Sequence, residues 1–170
     1  MVNVNGKIDI RGTEDEPVIW TSLKDDSIAG DTNADGNKST PAAGDWGHLE
    51  FAGSTQAGLL THAKFFYGGG LGDQGAGWEH LKFGTKTGVD SRVKLYSCEV
   101  AYSMTAGIWM QVSSPSLYDC YIHDNTNPEL GTGLTLTGRS KPIVFNCRLE
   151  NSSYAIMTDT FSYPNAKTSQ

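Results

Sequence analysis

No apolar run in these 170 residues approaches the roughly 20 that a bilayer-crossing helix needs. Positive charge is also short. Thirteen Lys and Arg stand against 19 Asp and Glu, a net −6, and the basic residues nowhere cluster as nucleic acid or an anionic membrane surface would require. Stretches free of helix breakers are rare, because 20 glycines and six prolines punctuate the chain. Glycine stands at about 12% against a usual share of about 7%. One long unbroken stretch, Ser91 to Ala106, sets Val93, Leu95, Cys98, Val100, Tyr102 and Met104 mostly two residues apart, which is strand spacing. That excludes a helical bundle and predicts an all-β chain. A Cys-x-x-Cys pair, a phosphate loop and a Ser-His-Asp order are missing too, and the chain opens directly on alternating Val2-Asn3-Val4, which reads as strand rather than leader.

What the sequence does have is a repeat hidden by unequal loops. Leu95-Tyr-Ser-Cys98-Glu-Val100, Leu117-Tyr-Asp-Cys120-Tyr-Ile122 and Val144-Phe-Asn-Cys147-Arg-Leu149 share one frame, and Leu60-Thr-His-Ala63-Lys-Phe65 fits it with alanine for cysteine. A second strand recurs between them at Leu49, Leu81, Ile108, Leu134 and Ile156, and Gly6-Lys-Ile-Asp-Ile10 fits as an earlier copy headed by Ile8. From Leu49 onward the intervals are 32, 27, 26 and 22 residues, so the loops shorten while the strands keep their form. Two or three short strands per repeat of this period predict a solenoid, with equivalent strands stacked about 4.8 Å apart in parallel sheets. Burial is expected for Leu49, Leu81, Ile108, Leu134 and Ile156, and for Cys98, Cys120 and Cys147. The cysteines then form an inward ladder of small apolar side chains; a disulfide between stacked neighbours would leave one over.

Two motif sets extend this reading. Asp119-Cys-Tyr-Ile-His-Asp-Asn125 followed by Gly133-Leu134, and Asn146-Cys-Arg-Leu-Glu-Asn151 followed by Ala155-Ile156, resemble the right-handed parallel β-helix repeats of the pectate-lyase-like superfold. Pro17-Val-Ile-Trp-Thr-Ser22, Asp25-Asp26, Gly30-Asp-Thr-Asn-Ala-Asp-Gly36, Pro41 and Gly44-Asp-Trp46 are similar to a pattern of large bacterial secreted and surface β-helix proteins. The resemblance implies an all-β right-handed parallel β-helix of about six coils, with the acidic loop inserted between the first two. It further implies an extracellular or cell-surface setting, in which neighbouring coils or domains of a longer protein are partners. Residues 1–170 read as one β-helix domain, a stretch of that longer protein, with 162–170 as a polar tail or linker.

Charge is concentrated in one place: Asp25 to Asp45 hold five aspartates and one lysine. Asp31-Thr-Asn33-Ala-Asp35-Gly36 sets side-chain oxygens at alternate positions with a glycine at the turn, like the first half of a calcium loop. Ala42 falls where an EF-hand needs its bidentate glutamate, so this is no EF-hand. Asp25, Asp26 or Asp45 would complete the shell around a structural Ca2+, the alternative being a solvated glycine-rich turn.

The second candidate site is the outward row of the Leu49 sheet. Alternation directs His48 and Glu50, then His80 and Lys82, then Trp109 and Gln111, then Thr135 and Thr137 to solvent. Such a row suits a polysaccharide or cell-surface glycan, with Trp109 stacking on a pyranose while Glu50, Lys82 and Gln111 bond hydroxyls. His48, His80 and Glu50 also offer zinc ligands, and the loop from Gly68 to Gly77 offers a cover for the face. Enzyme chemistry is weaker, since no adjacent carboxylate pair flanks a bond site. The expected function is therefore a calcium-stabilised module, structural or polysaccharide-binding. The alternative is part of a polysaccharide lyase or glycoside hydrolase whose remaining site residues lie elsewhere.

Overall fold

A computed structural model describes residues 2–51, 57–70, 79–84 and 92–167. Its first coil is β1 (Val2–Val4), β2 (Ile8–Arg11) and β3 (Val18–Trp20). A long loop follows, carrying one short helix, α1 (Asp26–Ala29). The second coil is β4 (Leu49–Phe51), β5 (Gly58–Thr61) and β6 (Ala63–Phe66). The third is β7 (Leu81–Phe83), β8 (Val93–Tyr96) and β9 (Glu99–Ala101). The fourth is β10 (Ala106–Gln111), β11 (Ser116–Tyr118) and β12 (Tyr121–His123). The fifth is β13 (Thr132–Thr137), β14 (Ile143–Phe145) and β15 (Arg148–Glu150), and the last holds β16 (Tyr154–Thr158) and β17 (Asn165–Lys167). Equivalent strands stack into three parallel sheets: A (β1-β4-β7-β10-β13-β16), B (β2-β5-β8-β11-β14-β17) and C (β3-β6-β9-β12-β15). The all-β solenoid of six coils is as expected, and so is the acidic loop between its first two coils.

The corners have a shared cause. His62, Ser97, Asp119 and Asn146, each between a sheet B and a sheet C strand, all have φ between 46° and 54°. Tyr67, Tyr102, Asp124 and Asn151 do the same after sheet C, with φ from 49° to 62°. One left-handed residue turns the chain sharply, and its amide still reaches the next coil: Ser97 N–H donates to Tyr118 O, and Asp119 N–H to Phe145 O. The ladder thus runs through the corner, which offsets the strain of a left-handed non-glycine residue.

Inward side chains fill the coil. Leu49, Leu81, Ile108 and Leu134 form a fully buried column, and Phe51 stacks on Phe83 at 4.6 Å. Leu60, Leu95 and Leu117 fill sheet B, and Phe65, Val100 and Ile122 fill sheet C. Cys98, Cys120 and Cys147 are free thiols in one ladder. Hydrogen bonding with Cys147 and Cys98, and then burial, hold the Cys120 thiol well above its usual pKa, which suits an inert core group.

Four expectations change. Ile8 does not head the Leu49 column; Val2 pairs with Leu49, and Ile8 pairs with Gly58 in sheet B. Val2-Asn3-Val4 and Ile8-Asp9-Ile10 alternate identically, so the pattern alone cannot rank them. Ile156 is 37% exposed, because its strand is last in sheet A with no described coil beyond it. Cys147 is only half-buried for the same reason. Asn165–Lys167, read as tail, forms β17 and pairs with β14. A ladder uses main-chain groups, so polar side chains do not prevent it.

Candidate functional site

The acidic loop is held by its own side chains. Asp25 accepts from Thr21 Oγ1 at 2.6 Å and from Ser27 Oγ at 2.5 Å. Asp45 accepts from Ser22 Oγ and Lys24 Nζ, both at 2.6 Å. These two carboxylates fasten the ends of the loop to the coil, and of the alternatives Asp25, Asp26 and Asp45 it is Asp26 that stands with the gathered carboxylates. Asp31 accepts the amides of Asp35 and Gly36, each at 2.9 Å. Asn33 donates from Nδ2 to Asp35 Oδ2 at 3.0 Å and accepts the Asp35 amide at 3.2 Å, so it orients Asp35.

What converges is Asp26, Asp31 and Asp35, with one ligand atom of each within 4.8 Å of the others. Oxygens on opposite sides of a calcium ion, each about 2.3–2.6 Å from it, stand about 5 Å apart, so the spacing fits. Asp26 Oδ1 is buried without a hydrogen-bond partner among the described residues. Burial, then the charges of Asp31, Asp35 and Asp25, hold the Asp26 carboxyl above its usual range. A cation at the centre would answer both the missing partner and the crowded charge.

On sheet A the register of the outward row is as expected: Glu50 pairs with Lys82, Lys82 with Trp109 and Trp109 with Thr135. The row bonds largely to itself. Lys82 Nζ lies 3.1 Å from Glu50 Oε1 and 5.6 Å from the Trp109 ring centre, and Trp109 Nε1 donates to Thr137 Oγ1 at 3.0 Å. Glu50, Lys82, Trp109 and Gln111 are all half-buried.

His48 and His80 are corrected more strongly. His80 is fully buried, stacked on Trp46 at 5.3 Å, and its Nε2 accepts the Gly68 amide. Burial pushes its pKa down to about 3. His48 is buried with Nε2 3.7 Å from Glu50 Oε2, and burial holds its pKa below the usual value against the pull of Glu50. The reason is a break in the pleat. Opposite His80 stands Gly107, where a Cβ would lie 3.0 Å from Asn125 Nδ2 and 3.2 Å from Ile122 Cγ2, both core residues. Gly107 and Ile108 therefore both face inward, and strict alternation fails one residue before β7 begins. The zinc set His48, His80 and Glu50 is not gathered; Asp26, Asp31 and Asp35 are the one such group among the described residues. Of the proposed covering loop, residues 71–77 lie outside the described residues.

The same break explains what alternation missed. With His80 turned inward, Glu79 faces a cavity of about 170 Å3 beside Ala106, Trp109, Thr132 and Thr135. Glu79 is 2% exposed, and burial pushes its pKa up to about 7. Its signal was the repeat itself: where later coils put Ala106 and Thr132, this one puts a carboxylate.

A profile described as "Right handed beta helix region" matches residues 75–169. No curated protein and no solved structure is similar enough to match.

Proposed function

We propose, from the premise that the chain belongs to the right-handed β-helix family, that it is a calcium-stabilised structural module of an extracellular or cell-surface protein. The carrying observation is the Asp26, Asp31 and Asp35 group, spaced for one hard cation and holding a buried oxygen without a partner among the described residues. Asp26 stands on α1 while Asp31 and Asp35 stand on the turn after it, so one ion would tie the loop together across five to nine residues of chain. Extracellular calcium modules have Kd values of about 10⁻⁴–10⁻³ M, which a site of three carboxylates would match. A glycan partner finds less support, because His48 and His80 are buried and Glu50 and Lys82 are paired with each other.

The test is a thermal melt with calcium and with chelator. At a hundredfold excess over Kd, ligation contributes about 2.7 kcal/mol, a shift of about 5 °C or more for a chain of this size. An Asp31→Asn, Asp35→Asn double variant keeps acceptors for the loop amides but loses two charges, and is expected to melt alike in both conditions. If the wild type also melts alike in both, the loop is a turn and the calcium reading fails.

A further inference from the structure

The cavity on sheet A carries a second, separate reading. Its walls are apolar apart from Glu79, Thr105, Thr132 and Thr135. Trp109 forms one side, while Leu130 and Met157, 53% and 39% exposed, leave hydrocarbon in water at the rim. Thr132 and Thr135 share a hydrogen bond at 2.6 Å, which uses one of their two O–H donors. Glu79 is the charged group of this lining, with Oε1 buried and without a hydrogen-bond partner among the described residues. Its own backbone amide and, through space, Lys82 favour its charge, but the Lys82 ammonium is already 3.1 Å from Glu50.

A buried carboxylate is costly unless a cation or donors answer it. Four ligand classes can be weighed on that ground. A saccharide brings many hydroxyls, most of which would face Leu130, Met157 and Ala106 without partners. A hydrocarbon fits the walls and leaves the carboxylate as it was. An anion is repelled by Glu79 and by the net −6 of the chain. An ammonium on a short apolar body fits all of it. Its N–H groups and charge meet Glu79, its hydrocarbon meets Leu130 and Met157, and an indole face attracts cations.

We propose that this cavity binds small organic ammonium ions, with Glu79 as counter-ion and Trp109, Leu130 and Met157 as the apolar wall. The site is independent of the acidic loop and stands whether or not that loop holds calcium.

The test is titration of n-butylammonium into the protein at pH 8, followed by calorimetry, with calcium and with chelator. Saturable one-to-one binding is expected with a Kd on the order of 1 mM or tighter. Neutral n-butanol, of the same shape, is expected to bind at least about tenfold more weakly. Glu79→Gln keeps the volume and removes only the charge, so it is expected to weaken butylammonium by about tenfold or more and to leave butanol unchanged. Circular dichroism of the variant establishes that it is folded. Equal affinity for butanol and butylammonium overturns the proposal, as does undiminished binding by Glu79→Gln. Absence of saturation at about one hundred times the expected Kd overturns it too. Binding of a disaccharide such as cellobiose in place of butylammonium would do the same and return the face to the glycan reading.

Discussion

Leu134→Ala is expected to lower the unfolding free energy by about 2–5 kcal/mol, whereas Ile156→Ala costs less than about 1 kcal/mol. The two side chains are direct partners in adjacent strands of sheet A. Leu134 is fully buried between Ile108 and Ile156, so truncation leaves a cavity that the stacked coils on both sides cannot close. Ile156 lies on the last strand of the sheet and already meets water, so truncation there only widens an open surface. Urea unfolding of both variants at one pH checks the pair. Equal losses would mean that a further layer covers Ile156 as tightly as β16 covers Leu134.

Glu79→Gln is expected to be more stable than the wild type above pH 7 by about 3 kcal/mol, with the difference closing below pH 4.5. The folded pKa of Glu79 is raised from 4.5 to about 7, chiefly by burial. Below pH 4.5 the carboxyl is protonated in both states and contributes no pH dependence. Between 4.5 and 7 the unfolded chain ionises while the folded one does not, so stability falls as pH rises. Above 7 the folded state carries the buried charge, and the full cost remains. His80 acts in the opposite direction. Its folded pKa is depressed from 6.5 to about 3, so its contribution is complete above pH 6.5 and is lost as pH falls toward 3. The two slopes oppose each other between pH 4.5 and 6.5, so the wild-type profile alone is uninformative there. Denaturant unfolding of wild type and variant from pH 4 to pH 8.5 separates them. A stability difference that does not move with pH would mean that Glu79 is solvated, and the cavity would lose its central feature.

The two predictions draw on different levels of the molecule. The Leu134 column was visible in the sequence because each inward position recurs once per coil, and the same side chain meets the same neighbours at every recurrence. The Cys98, Cys120 and Cys147 ladder was legible for that reason, and so was the placing of the acidic loop between coils. Glu79 was not legible. Alternation predicts direction only while a strand keeps its pleat, and β7 begins at Leu81, so a rule carried back to His80 exchanges the two residues. His80 was assigned to solvent and lies in the core; Glu79 was passed over and lines the cavity.

The acidic loop divides in the same way. Oxygen-bearing residues at alternate positions are enough to pick out Asp31 and Asp35, because a turn of that length brings them together locally. Which of Asp25 and Asp26 joins them depends on α1, whose first residue is Asp26, while Asp25 before it is drawn to Thr21 and Ser27. Repetition and local spacing belong to the chain, so the sequence by itself determined the coil, its inward columns and the acidic turn. Direction at a corner depends on which neighbouring coil the side chain meets. Only the tertiary structure therefore decided that His48 and His80 are buried, that Asp25 holds the frame, and that Glu79 lines a largely apolar cavity with one buried oxygen lacking a partner among the described residues.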